Sequence, residues 1–184
     1  MSAFKIRTAQ LKNHADKLCA GDRVLLSGDV YTARDAAHKR LFALLDDGQE
    51  LPFDIKDAVI YYAGPTPGHD EVIIGSCGPT TSSRMDTFAP RLYALGLAAT
   101  IGKGERSIAV AEAVIQNKAV YLAAVGGAGA LIARHIRRVD EIAFPELGCE
   151  SIKRLTVEDM PLVVALDCHG GDIFKQGREK YKIG

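Results

Sequence analysis

The sequence predicts an α/β domain built on an at least partly parallel sheet. Two observations carry that prediction. Short apolar runs of strand length alternate along the chain with stretches of helical period. The 184 residues also show no internal repeat, low-complexity tract or charge block, and that length suits one substantial core. Residues 1–184 are therefore read as a single domain, with 1–20 set apart as a possible N-terminal extension.

The first clear strand is RVLLSGDVYT, 23–32. TARDAAHKRLFALLDDG then has a helical period, with Thr32 placed to cap it, Asp35 three residues on as in a capping box, and Gly48 after the last periodic residue. DAVIYYA and EVIIGS read as two more strands, joined by GPTPGHD as a turn or hairpin-like loop. MDTFAPRLYALG is helical in pattern, but Pro90 should kink or split it. GLAATIG is a short apolar strand, SIAVAEAVIQNKA a helix, AVYLAAVGG a buried strand and GAGALIARHI a short helix. RVDEIAFPELG and PLVVALDCHGGDIF both read as strands at the carboxyl end.

Lys plus Arg equals Asp plus Glu at 23 each, so no whole-molecule field favours nucleic acid or an anionic membrane. Any anion site must be local. No apolar run approaches the ~20 residues that span a bilayer. The N-terminal stretch lacks the apolar centre of a secretory signal, and the cytoplasm is the expected location. Cys19, Cys77, Cys149 and Cys168 have no C-x-x-C pairing and no regular spacing. They suit neither a disulfide framework, a structural zinc site nor an iron–sulfur cluster, and they are expected to be buried, reduced thiols. Cys77 stands out because it abuts GPTTSSRMD.

On the predicted helix, Arg34, His38, Leu41 and Leu45 share one stripe, with Ala37 and Leu44 beside it. The arginine and histidine thus continue the core-facing stripe toward the helix N-terminus. A cation there lies at the positive end of the helix dipole and needs either a ligand anion or a structural carboxylate or carbonyl. GPTTSSRMD, 78–86, repeats the arrangement: a strand ends, a tight turn follows, Thr80 or Thr81 caps, and Arg84 falls in the first helical turn. Capping alone would explain one such motif. Two arginines at two helix entrances in a small neutral domain favour a ligand with two anionic ends.

Lys103 lies between two glycines directly after a strand, in TIGKGERS. This is not a P-loop, and taken alone it reads as a surface turn. VGGAGAL follows a strand, but Ile132 stands where a dinucleotide fingerprint needs glycine, so tight backbone packing is the better reading. DCHGGD places Asp167 and His169 close together, which is too few ligands for a metal site. His14, His69 and His135 read as surface or structural.

SGDVYTARDAAHKRL, GSCGPTTSSRMD, TIGKGERS, VGGAGAL and FPELGCESI…ALDCHGGDIF together resemble the β subunit, or C-terminal domain, of class I fumarases and the related L-tartrate dehydratases. The resemblance runs from about Gly21 to Phe174. It implies a three-layer β/β/α "swivelling" fold and an iron–sulfur hydro-lyase that reversibly hydrates fumarate. In that family a [4Fe–4S] cluster is held by three cysteines of a separate α subunit or domain, so this chain would bind no metal by itself. The resemblance makes Arg34 and Arg84 carboxylate-binding residues, Thr80 the catalytic acid/base, and Lys103 a further substrate contact, with His38 and Thr81 supporting them. A hydroxyl is a very weak base, so Thr80 would depend on nearby positive charge.

The implied partners are the α subunit and a small dicarboxylate, with homodimerisation or an α2β2 assembly and neither nucleic acid nor membrane. DAAHKRL and GGAGAL resemble the fumarases more than the tartrate enzymes. An L-tartrate dehydratase β subunit and a stand-alone dicarboxylate-binding module are the alternatives.

Overall fold

Residues 4–18 fold against the strand that follows them. Strand β1 (Phe4–Arg7) pairs in parallel with β2 (Arg23–Thr32), and the short helix α1 (Leu11–His14) and its flanking turns bury Leu11, Ala15 and Leu18. A computed structural model describes residues 3–69 and 72–182. Strand β2 keeps its predicted bounds, and helix α2 (Asp35–Asp46) follows it, burying Ala37, His38 and Leu41. Thr32 does not cap this helix. It is buried at the end of β2, where its hydroxyl donates to the Ser151 carbonyl and accepts the Lys153 N–H. Helix α2 begins two residues later because Arg34 is still extended.

Strand β3 (Val59–Tyr61) continues the parallel sheet. Part of GPTPGHD is itself a strand, β4 (Pro67–His69), antiparallel to β5 (Val72–Ile74). The helical pattern around Pro90 is split: Ser82–Met85 is a 3-10 turn, and helix α3 (Ala89–Ala94) carries Pro90 in its first turn, where a missing N–H costs nothing. Strand β6 (Ala99–Gly102), helix α4 (Ile108–Gln116), strand β7 (Val120–Ala123), helix α5 (Gly129–Ala133) and strand β8 (Ile136–Ala143) fall inside the predicted segments or within two residues of them.

The carboxyl end departs from expectation. Strand β9 (Ile152–Leu166) starts well before PLVVAL, and helix α6 (Ile173–Tyr181), capped by Asp172, replaces the end of the expected strand. Charged residues in KRLTVEDM hide the alternation of Leu155, Val157 and Met160, which are buried.

The seven-stranded sheet runs β1-β2-β3-β6-β7-β9-β8, and β9 also pairs with β2. The strands from β1 to β7 in that order are parallel, and β9 is antiparallel to β2, β7 and β8. Because β9 touches both β7 and β2, the mixed sheet closes on itself. Alternate residues then feed two cores. Leu26, Val59, Tyr61, Ile101, Leu122 and Val157 join one cluster. Ile60, Tyr62 and Tyr121 join the other, packed by Leu41, Leu92 and Val114 from α2, α3 and α4.

Candidate functional site

The carboxyl ends of β2, β3, β6 and β7 converge on one rim, where parallel α/β sheets commonly bind ligands. Arg34 occupies the N-cap of α2 at this rim. Its carbonyl accepts the backbone N–H of His38 at 2.8 Å and the ring Nδ1–H at 2.9 Å. A carbonyl can only accept, so His38 carries its proton on Nδ1 and leaves Nε2 a buried acceptor with no partner. Burial, reinforced by the charge of Arg106, holds the His38 pKa down to about 4, against the opposing hydrogen bond to Arg34.

The Arg34 guanidinium reaches over Gly64, where a Cβ would lie 2.8 Å from Nη1. It meets Glu150 at 3.4 Å, yet its Nε is buried without an acceptor. Glu150 comes from the 3-10 turn Pro145–Glu150 and also accepts the Ala36 N–H at 3.1 Å, so this carboxylate, rather than Thr32, serves the start of α2. Arg84 lies across the same helix start. Its Nε and Nη2 each stand 3.0 Å from the Asp35 carboxylate, and half of its side chain faces solvent. Both predicted arginines therefore meet within one turn of helix, and each already has an internal carboxylate.

Capping explains less of GPTTSSRMD than expected. Thr81 precedes the 3-10 turn but makes no side-chain cap bond. The loop is pinned by its backbone: the Thr80 N–H donates to the Tyr62 carbonyl at 2.7 Å, Thr81 bridges Lys103, and the Ser82 N–H donates to the Lys103 carbonyl at 2.9 Å. Ser82 is buried with its hydroxyl 2.9 Å from that of Tyr121. Among the described residues, the hydroxyls of Thr80 and Thr81 and the ammonium of Lys103 have no hydrogen-bond or ion-pair partner. Gly126 approaches the Lys103 stem, and Gly129 packs on Ser76 and Gly78, so VGGAGAL acts through close backbone packing.

Arg106 was not predicted. Its side chain is fully buried, and nothing in GKGERS distinguishes it from a surface residue. Its only sequence signal is non-local: Tyr62, Tyr93 and Tyr121 are buried tyrosines that need polar partners.

The thiols divide in two, correcting the expectation that all are buried: Cys77 and Cys168 are buried, Cys19 and Cys149 exposed. Burial pushes the Cys77 thiol up to about 12, so it is neither a ready ligand nor a nucleophile. No group of three or more His, Cys, Asp or Glu that could hold a metal occurs among the described residues. This donor set does not fit an iron–sulfur cluster. Asp167 accepts the N–H groups of Ala20, His169 and Gly171, and His169 contacts the Asp16 carbonyl, so both organise a loop. His14 and His135 each bond a backbone carbonyl.

A mixed α/β domain with cationic side chains and unpaired hydroxyls on one rim is chemically suited to an anion, and similarity to known proteins narrows the class. The chain belongs to the family described as Fumarase C-terminus, which matches residues 2–177. It is 39% identical over 175 residues to "Putative L(+)-tartrate dehydratase subunit beta" of Methanocaldococcus jannaschii, covering 92% of this chain and 90% of that one. It is 40% identical over 156 residues to "Fumarate hydratase class I, anaerobic" of Escherichia coli, covering 84% of this chain but only 28% of the relative. The L(+)-tartrate dehydratase subunit beta of Escherichia coli is 30% identical over 183 residues, with 96% and 90% covered. No helix among the described residues is long and apolar enough to cross a membrane.

Proposed function

We propose that this chain is the β portion of a class I fumarate hydratase, which interconverts fumarate and (S)-malate. The observation that carries the reading is the buried Arg34 Nε–H without an acceptor. A guanidinium donor removed from water needs a partner, and a substrate carboxylate supplies one. Arg84, 3.0 Å from Asp35 on the same helix start, keeps Nη1 for the second carboxylate.

Thr80 is the acid/base. Addition of water across fumarate places hydroxyl on one carbon and a proton on its neighbour, and Thr80 Oγ1 delivers that proton or removes it in reverse. Arg84 and Lys103 supply the positive field that makes its alkoxide accessible. Lys103 and Thr81 contact the substrate, and His38 seats Arg34 through its carbonyl. The cluster belongs to a partner α subunit, a reading supported by relatives named as β subunits, and two such pairs form an α2β2 assembly in the cytoplasm. The two cores, one inside the closed sheet and one beneath the helices, support a β/β/α swivelling layering.

L-tartrate dehydration is the second reading. It is favoured by one observation: the relatives matched over 90% of their own length are named as its β subunit. Anaerobic assay of the complex of this chain with its α subunit, using fumarate, malate and L-tartrate, separates the two. Fumarate and malate are expected to interconvert, and turnover of tartrate alone overturns the primary reading. Thr80→Val should mainly lower kcat. A fully active Thr80→Val enzyme removes the proton assignment.

A further inference from the structure

The cationic rim has a buried foundation. Arg106 has no exposed side-chain surface, and its partner Asp86 is 12% exposed. Nε donates to Asp86 at 2.6 Å, Nη1 to the Thr100 hydroxyl at 3.0 Å and Nη2 to the Tyr62 hydroxyl at 3.3 Å. The guanidinium also lies over the rings of Tyr62 and Tyr121, 5.3 and 4.8 Å from their centroids. One side chain thus ties β6, β7, the residue after β3 and the turn that carries Arg84.

The same connections reach Lys103. The other oxygen of Asp86 accepts the Ser107 N–H at 2.6 Å, fixing the start of α4. Tyr121 donates its hydroxyl hydrogen to the Gly104 carbonyl at 2.8 Å, so Ser82 is the donor in their 2.9 Å contact. Gly102 and Gly104 on either side of Lys103 leave its backbone intrinsically loose, and Gly104 has φ +83°. A lysine there holds one position only if other elements impose it.

Stability alone does not account for such a pair. Burying two charges costs desolvation energy, and apolar replacement of both partners is often neutral or stabilising.

We infer that Arg106, paired with Asp86, is a positioning residue: a buried strut that sets Lys103 against Thr80–Arg84 so that both face one dicarboxylate. This rests on the reading of those residues as the substrate site. Arginine is needed because its planar fork serves three partners in fixed directions, which lysine cannot do.

The test compares wild type, the double variant Arg106→Leu/Asp86→Leu and the single variant Arg106→Lys. Amide hydrogen exchange on the full chain needs no turnover. Exchange at Ser82, whose N–H donates to the Lys103 carbonyl, should quicken by about tenfold or more in both variants while the strand amides stay protected. In the complex with the α subunit, KM for whichever diacid is turned over should rise by roughly 10- to 100-fold. Thr80→Val, as control, should lower kcat with exchange unchanged. Wild-type exchange and KM in the double variant overturn the strut. If the double variant does not fold, wild-type exchange and KM in Arg106→Lys overturn it equally. A complex inactive on all the diacids speaks against the proposed function, while the exchange measurement still decides the strut.

Discussion

Replacing His38 by glutamine isolates one titration in the stability of this domain. The imidazole is buried between Phe88 and Tyr62, with ring centroids 5.3 and 5.6 Å away, and donates Nδ1–H to the Arg34 carbonyl. Burial lowers its pKa from 6.5 to about 4. Between those values the unfolded chain holds a proton that the folded chain refuses. Stability from this group is therefore complete above pH 6.5 and is lost as the pH falls toward about 4. At about 1.4 kcal/mol per unit, the loss is roughly 3 kcal/mol. Urea unfolding of wild type and His38→Gln at several pH values between about 7.5 and 4 gives the difference directly, because the shared carboxylates cancel. The wild-type advantage should shrink by roughly that amount across the window. Parallel pH profiles, or an imidazole that titrates near its ordinary value in the folded protein, would refute the reasoning.

Other perturbations have equally definite outcomes. Gly102→Ala places a Cβ 2.0 Å from Ser82 Oγ and 2.9 Å from Tyr62 Cδ2, so chemical denaturation should show a loss of about 1–3 kcal/mol, partly relieved by adding Ser82→Ala. Arg34→Ala and Arg84→Ala should each raise KM by about tenfold or more and lower kcat, as steady-state kinetics of the complex would show. A thiol reagent on the native chain should label Cys19 and Cys149 quickly, and Cys77 and Cys168 only after unfolding, as peptide mass spectrometry can follow.

Local pattern made much of this fold readable. RVLLSGDVYT is a strand of the predicted length because its alternating apolar side chains meet one core. SIAVAEAVIQNKA forms α4 within its predicted bounds, and the structure adds Ser107 as its cap. The errors occur where distant residues decide. Thr32 looks like a cap, but Ser151 and Lys153 claim its hydroxyl. The rim shows the same division. Arg34, Arg84 and Lys103 carry local signals, a core stripe, a hydroxyl-rich turn and flanking glycines. Glu150 and Arg106 have none, because their partners arrive from other parts of the chain. The proposed proton role of Thr80 rests on family resemblance, since its backbone environment resembles that of an ordinary turn residue.

The antiparallel pairing of β9 with β2 sets an order of events during synthesis. Strand β2 and the arginine after it leave the ribosome well before the strand that lines β2 from Arg23 to Tyr31. The bond from Thr32 to Ser151 spans 119 residues. Until then β2 is an apolar ribbon with an open edge, the kind of surface that aggregates or recruits chaperones. A nascent chain stalled before residue 152 would lack the strand that joins β2, β7 and β8. Closing so distant a contact is also slow, because the loop entropy is lost before the contact forms. Any companion chain that needs the finished rim must wait for this strand.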